Sequence, residues 1–516
     1  MATFGGPVAR AVAAEERLVA TAGMDTEVPL LRREEDAQAA VAALVAALGK
    51  ERVLTHPADL FPYTYDASYN SEAHPGKPDC VVLPRDTADV VTAVQIANRY
   101  RVPVVPRGSA SAYSGGAVAH FGGIVLAMNM LDKVLEVDAD NLQVRVQPGV
   151  IHANLNDLLA KSGMIFPPDP GSSKIASVGG MVANNSSGMR AVKYGPTLQY
   201  VLGLQVVLPT GEVIWTGGEE SKALQSVSGF NLTPLFVMSE GRLGVITELR
   251  LKILPKPQAR GLVVARFDSL EDAAEMTRRI FRAGIVPSAL EIMDRSAIRA
   301  VNLYKPDLKL EEVAAMLLVE ADGTPAVVAD TVAHIEQVAR ELATSVATAT
   351  NPKAMEELWA GRAALGAASS LVVPGGARVG MGEDICVPLR DMPATLRGIA
   401  QAAERRGVAV VLYGHIGSGN VHSAIVVKHT PEEIHKAQLL TEDIHNLALE
   451  FRGTTSGEHG IGVVRRDYAD AELGFAVEVM RQMQRAFDPN GIMNPGKKLP
   501  FATEKAMARA EPAEAT

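Results

Sequence analysis

The chain has 516 residues, 47% hydrophobic and 21% charged, which is enough for two or three domains with a large core. Its formal charge of −9, without any Lys/Arg block, excludes a general polyanion binder, so nucleic acid is not an expected partner. Two cysteines, Cys80 and Cys386, can build neither a disulfide framework nor a four-thiolate iron–sulfur site, and both sit in apolar runs that are expected to be buried.

Residues 1 to about 35 are Ala-rich with mixed charge and carry no chemistry. Glu15, Glu16 and Arg17 interrupt them where a secretory signal would be apolar, and no run of 18 apolar residues follows anywhere. The expectation is a cytoplasmic enzyme with no transmembrane segment, free or peripheral to the inner membrane. Glu35 to Leu48 has helical spacing of Ala and Val, so residues 1–50 read as an extension plus a helix. Tyr63, Tyr65 and Asp66 form a polar-aromatic stretch, Val81–Leu83 a short buried strand, and Thr87–Tyr100 an amphipathic helix capped by Asp86.

Between the apolar runs Val102–Val105 and Ile124–Met128 lies Pro106-Arg-Gly-Ser-Ala-Ser-Ala-Tyr-Ser-Gly-Gly-Ala117. Large side chains are nearly excluded from it. Gly108, Gly115 and Gly116 free the backbone, and Ser109, Ser111 and Ser114 add hydroxyls. A loop of this kind forms a concave anion site that a pyrophosphate can approach closely. Its natural ligand is a dinucleotide, yet no G-x-G-x-x-G opens a helix after a strand, so the scaffold is not a Rossmann fold.

Leu142–Val146 alternates like a strand and stops at Pro148-Gly149, and His152–Ser162 reads as a helix. Phe166 to Gly188 holds three prolines and four glycines and reads as a long ordered loop with a function, because Ile175, Val178, Met181 and Val182 argue against disorder. Pro255-Lys-Pro257 marks a domain boundary, which divides the chain into 51–257, 258–470 and a C-terminal segment 471–516. After it, Gly261–Phe267, Glu271–Arg282, Ala289–Met293, Ala314–Glu320 and Val327–Leu342 give a β-α-β-β-α order. That order fits a ferredoxin-like antiparallel sheet with helices on one face. Asp384–Val387, a helix from Pro393 to Arg406 and Val408–Tyr413 extend the theme into a cap.

The sharpest stretch is Val411-Leu-Tyr-Gly-His415-Ile-Gly-Ser-Gly-Asn-Val-His422-Ser-Ala-Ile. Two apolar runs around a Gly/Asn-rich turn describe a β-hairpin, which returns His415 to the neighbourhood of His422. Two imidazoles and one carboxylate make a metal site with open positions. The glycine-dense run Gly453-Thr-Thr-Ser-Gly-Glu458-His459-Gly-Ile-Gly462 offers the carboxylate.

With these motifs on view, the chain resembles the vanillyl-alcohol oxidase/p-cresol methylhydroxylase superfamily of FAD enzymes over roughly residues 50 to 500. The phosphate loop there usually reads P-R-G-x-G-T-x-x-S-G-G, and Ala110 and Ala112 stand here where glycine is more usual. H-x-G-x-G-N-x-H followed by S-G-E-H-G-I-G looks like its D-2-hydroxyacid dehydrogenase branch, in the manner of the flavin subunit of glycolate oxidase. The implied fold is α+β: a two-part FAD-binding domain of the p-cresol methylhydroxylase type and an antiparallel cap. The resemblance implies that FAD is held by Pro106, Arg107, Gly108, Ser109, Ala110, Ser111, Ser114, Gly115 and Gly116. It adds Pro168, Ser172, Gly179, Gly180, Gly188 and Ile246, and in the tail motif Phe487-to-Lys497 it adds Asn494.

It further implies a divalent metal, zinc or manganese, on His415, His422 and Glu458, with His459 as the general base. Oxidising a 2-hydroxy acid requires loss of the hydroxyl proton and transfer of a hydride from C2 to flavin N5, and a histidine titrates in the right range for the first step. Asn420 is read as orienting substrate or a ligand. Arg362, on the W-x-x-R helix the branch also has, is the first candidate to hold the substrate carboxylate, with Arg378 in reserve. Gly382 stands where dicarboxylate-specific members carry a lysine, which favours acids of lactate or glycolate size. Gly417-Ser418-Gly419-Asn420 replaces the usual G-D-G-N, and the lack of a histidine within the 107–116 loop, with His120 just beyond, disfavours a covalent flavin. Electrons must leave to an iron–sulfur subunit or electron-transfer flavoprotein, a quinone or cytochrome, or oxygen, and the family allows a homodimer or a heteromeric complex. Two other readings stand beside this one: a non-redox transferase of the alkyl-dihydroxyacetonephosphate synthase type, and a catalytically idle flavin subunit.

Overall fold

A computed structural model describes residues 33–349, 351–381 and 384–500. The expectations for the extension before Arg33 and for Gly382 fall outside these residues.

The helix Glu34–Leu48 buries Ala40 and Leu44 against Thr87–Tyr100, whose first turn is capped as expected by Asp86 accepting from Asp89 N at 2.9 Å. Below them lies a four-stranded sheet in the order Val53–Leu54, Cys80–Val82, Ile124–Ala127, Val104–Arg107, the last three parallel. Strands covered on both faces need continuous apolar sequence, and Cys80–Val82 and Ile124–Ala127 are buried throughout. The small-residue loop leaves from the carboxyl end of Val104–Arg107, the edge at which α/β sheets take up ligands. An antiparallel five-stranded sheet follows: Val134–Asp138, Gln143–Val146, Val245–Lys252, Val201–Val207 and Val213–Trp215.

The stretch 166–188 is not loop throughout. Val178–Asn184 is a helix, with Ser177 Oγ accepting from Gly180 N at its start. The capping serine and the buried Val178, Met181 and Val182 outweigh the helix-weakening glycine pair.

From Ala259 onward the chain builds an eight-stranded sheet, running Ser345–Ala349, Ala259–Phe267, Ala315–Gly323, Ala289–Asp294, Ala409–Gly414, Asn420–Val427 and Ala377–Val379, with Ile385–Cys386 also paired to Asn420–Val427. Every pairing in it is antiparallel. The sheet carries helices on both faces, not one. Val263, Ala265, Leu317 and Val319 pack with the helices Leu270–Arg282, Pro325–Ala339, Met392–Arg406 and Pro431–Glu450. Leu262, Val264, Met316 and Leu318 pack with Arg295–Tyr304 and Pro352–Ala363. Strand side chains alternate between faces, so Tyr413 and Met293 join this second group. The same alternation sends Glu291 and His422 to that side.

Cys80 is buried as expected. Cys386 is only half-buried, because its strand is two residues long at the sheet's margin, and its thiol meets Ser418 O at 3.3 Å.

Candidate active site

The hairpin forms as its sequence requires. Ala409–Gly414 pairs with Asn420–Val427, Tyr413 stands opposite His422, and Ile416–Ser418 turns the chain between them. The rings of His415 and His422 lie 5.1 Å apart at 90°. Glu458 arrives from the glycine-dense turn: its Oε1 is 3.1 Å from His415 Nε2 and 3.4 Å from His422 Nε2, and Ser187 Oγ donates to its other oxygen at 2.7 Å. His459 stacks on His422 with centroids 5.1 Å apart and presents its edge to Tyr113.

Two carboxylates outside the expected set hold this arrangement. Glu291 Oε1 is 2.6 Å from His415 Nδ1, and its Oε2 is 2.6 Å from Arg362 Nη2. Asp384 Oδ2 accepts the backbone N–H of Glu458 at 2.9 Å and of His459 at 2.8 Å, and Asn420 Nδ2 donates to Oδ1 at 2.8 Å. Glu240 grips the same turn from the other half of the molecule, accepting from Ile461 N and Gly462 N at 2.9 and 2.7 Å.

The electrostatics follow from these partners. Burial lowers the His415 pKa, but Glu291 and Glu458 outweigh it and raise the value to about 10. Burial works against the charge of Glu458 as well, yet His415 and His422 hold it well below the ordinary carboxylate range. For His459 burial wins over the attraction of Asp384, and its pKa falls.

The donor atoms of His415, His422 and Glu458 lie within 4.8 Å of one another. Nδ1 of His415 is taken by Glu291, which leaves Nε2 for a cation, and His422 Nδ1 is buried without a hydrogen bond. Two imidazoles and a carboxylate backed by a further carboxylate are a fitting set for a divalent ion. A second triple, Asp384, His422 and His459, is as compact, but both Asp384 oxygens are already engaged.

These groups face a cavity of ≈ 490 Å³ walled by both halves of the molecule. Pro106, Arg107, Gly108, Ser109, Ala110, Ser111, Ser114 and Gly116 line it, as do Ser172, Gly179, Gly180 and Ile246. The Oγ of Ser114, in this lining, is buried with no partner, and the glycines let backbone come close, so the cradle suits a dinucleotide.

Other expected residues stand behind the wall. The Arg107 guanidinium is spent on the carbonyls of Ala117, Pro62 and Tyr65 and anchors the loop. Asn494 Nδ2 donates to Gly116 O and Glu240 O. Gly115, Pro168 and Gly188 are absent from the lining, and Gly188 lies against Asp169 O where a Cβ would overlap it. Asn420 serves Asp384 and Ile385 O, and Arg362 is buried on Glu291 under the Tyr413 ring. Arg378, held in reserve, lines the cavity together with Tyr113 and Gly366.

Sequence reasoning passed over Glu291, Asp384, Glu240, Ser187 and Tyr113. Glu291 had one visible signal, a lone charge inside the apolar run Ala289–Met293.

Comparison with known proteins agrees with this layout. Residues 256–498 match the model for the C-terminal domain of FAD linked oxidases, and residues 78–217 match an FAD binding domain. The chain is 34% identical over 458 residues to glycolate oxidase subunit GlcD of Bacillus subtilis, covering 88% of this chain and 95% of that one. It is 35% identical over 426 residues to the mitochondrial D-lactate dehydrogenase [cytochrome] of Arabidopsis thaliana, covering 82% and 74%. Among solved structures, p-cresol methylhydroxylase with substrate bound superposes with a TM-score of 0.76 at 17% identity over 92% of this chain and 99% of that one, a likeness of fold.

Proposed function

The chain belongs to the FAD-linked oxidase family and is an FAD-dependent oxidoreductase, and from that premise we propose that it oxidises a small D-2-hydroxy acid of the lactate or glycolate class to the 2-oxo acid. The observation that carries this reading is the convergence of His415, His422, Glu458 and His459 on the cavity that the small-residue loop also lines. The relatives named as glycolate oxidase and D-lactate dehydrogenase support the same substrate class.

In this reading His459 takes the hydroxyl proton. Its lowered pKa keeps the ring neutral and able to accept at neutral pH, and Asp384 fixes its backbone. Arg378 binds the substrate carboxylate. His415, His422 and Glu458 would hold a divalent ion, zinc or manganese, which when bound supplies Lewis acidity toward the hydroxyl oxygen. FAD, when bound, accepts the C2 hydride. Proton to His459 and hydride to flavin leave the 2-oxo acid. The chain's two cysteines cannot hold a cluster, so turnover would need a separate electron acceptor, an iron–sulfur subunit or electron-transfer flavoprotein, a quinone or cytochrome, or oxygen.

Anaerobic mixing with D-lactate, L-lactate, glycolate and D-2-hydroxyglutarate, before and after chelation, tests the reading through the flavin absorbance. Bleaching by one acid that stops on chelation is the expected result. No bleaching by any acid overturns it.

A further inference from the structure

A second cavity, of ≈ 640 Å³, adjoins the first. Ala67, Tyr113, Gly366 and Arg378 line both, so the two meet at a neck with two small residues and one stacked pair around it. The Arg378 guanidinium lies 5.0 Å from the centre of the Tyr113 ring. Tyr113 in turn sets its ring 5.4 Å from that of His459, so the neck opens beside the imidazole that takes the proton.

The far cavity is an open cleft, aromatic on one side, with Phe61 65% and Tyr65 45% exposed, and the hydroxyls of Thr64, Ser68 and Ser71 also belong to its lining. Phe61, Tyr65 and Tyr69 line it, and the first two meet edge to face at 5.8 Å. Apart from Arg378 at the neck, its charged lining residues are acids, Asp66 and Glu72.

A hydroxy acid of lactate size carries only a methyl group at C2. With its carboxylate on Arg378 and its hydroxyl at the histidine cluster, it leaves the chamber beyond the neck without a role. We propose that this chamber receives the C2 substituent of the substrate, and that the preferred acid carries a neutral aryl or medium-length alkyl group there. The inference rests on the 2-hydroxyacid reading above, keeps its chemistry, and replaces the lactate-sized acid by a longer one. Aromatic walls favour apolar and aryl groups over water. Asp66 and Glu72 repel a terminal carboxylate, so a dicarboxylate gains nothing from the extra length. Gly366 is the narrow point: a Cβ there comes to 3.5 Å from Arg378 Nη1, and a larger side chain fills the opening.

The test is kcat/KM for flavin reduction across D-lactate, D-2-hydroxyhexanoate, D-3-phenyllactate and D-2-hydroxyglutarate. It is run on the FAD-loaded wild type and on Gly366→Leu and Thr64→Trp, which obstruct the neck and the chamber from separate positions. Hydrophobic pockets discriminate by about 10-fold or more per methylene. The wild type is therefore expected to favour the hexanoate or phenyllactate over both D-lactate and D-2-hydroxyglutarate by about 10-fold or more. Each variant should cut the ratio of the long acid to D-lactate by about the same factor. A wild type that prefers D-lactate, or a ratio that neither variant moves, overturns the inference while leaving the 2-hydroxyacid reading intact. No flavin reduction by any acid overturns both.

Discussion

Glu291 Oε1 lies 2.6 Å from His415 Nδ1, and both residues are buried. The pairing orients the His415 ring so that Nε2 points at Glu458, and a carboxylate on the far ring nitrogen raises the basicity of the near one. Glu291 in turn is held by Arg362, the arginine expected to meet substrate. Glu291→Gln keeps the shape and removes the charge. It should weaken divalent-ion affinity by about 10- to 100-fold, read by competition with a chelator, with FAD content unchanged. Affinity equal to wild type would separate Glu291 from the metal site.

The two arginines should then give different signatures. Arg362→Met leaves the Glu291 carboxylate buried without its cation, and breaking a buried pair this way costs about 3–5 kcal/mol of stability, visible as a lowered unfolding midpoint. Arg378→Met removes a cation from the cavity wall. A charged hydrogen bond is worth about 1.5–3 kcal/mol, so KM for the acid should rise by about 10- to 100-fold. If Arg362→Met raises KM and Arg378→Met does not, the carboxylate goes to Arg362.

His459 is stacked on His422 and held by Asp384 through its own backbone amide, so removing its ring should not release the turn. His459→Ala should slow flavin reduction by about 10²- to 10⁴-fold, the usual contribution of a general base, with FAD content and divalent-ion affinity unchanged. Rapid-mixing spectra measure the reductive step alone. A rate within a few-fold of wild type would assign the proton to another group.

Which of these features the sequence discloses depends on how far apart their parts lie. The histidine hairpin is legible because a glycine turn folds its two strands onto each other within 20 residues. The phosphate loop is legible for a similar reason, since its small residues and the flanking apolar runs are contiguous. Glu291 meets His415 across 124 residues, and a lone acid in a strand does not announce its partner. Arg362 and Arg378 sit 16 residues apart in sequence, and only the packing of Pro352–Ala363 against the sheet turns one inward and leaves the other on the wall. The helix Val178–Asn184 hides behind Gly179 and Gly180 because its buried face, not its propensity, makes it form.

Besides the Tyr113–His459 ring contact, the C-terminal turn and the phosphate loop meet at a glycine. Gly462 has φ +51°, and a Cβ there would overlap the carbonyl of Ser114, to which Val463 N donates at 2.9 Å. Gly462→Ala meets both obstacles: a left-handed backbone costs a non-glycine residue about 1–2 kcal/mol, and the overlap must be relieved by moving one loop or the other. Because Ser114 lines the cofactor cavity, the variant should be purified with less FAD and unfold earlier, and added FAD should recover only part of the difference. Wild-type FAD content would show that the contact between the loops is slack.

Asp294 caps the helix Arg295–Tyr304, accepting from Ala297 N at 2.7 Å. Burial pushes its pKa up to about 7, against hydrogen bonds from Ala297, Leu412 and Ser296 that favour the anion. A carboxyl raised in the folded state binds its proton more tightly there than in the unfolded chain. Its contribution is therefore complete below the unfolded value of 3.8 and is lost as pH rises through about 7. The span between those values corresponds to at most about 4 kcal/mol. Asp294→Asn keeps an oxygen for the cap and cannot titrate. Wild type should therefore lose stability relative to the variant between pH 4 and pH 8, measured as the difference in unfolding midpoint at each pH with FAD in excess. A difference that stays constant across that range would mean that Asp294 is ionised throughout and that its three backbone N–H donors, not burial, set its charge.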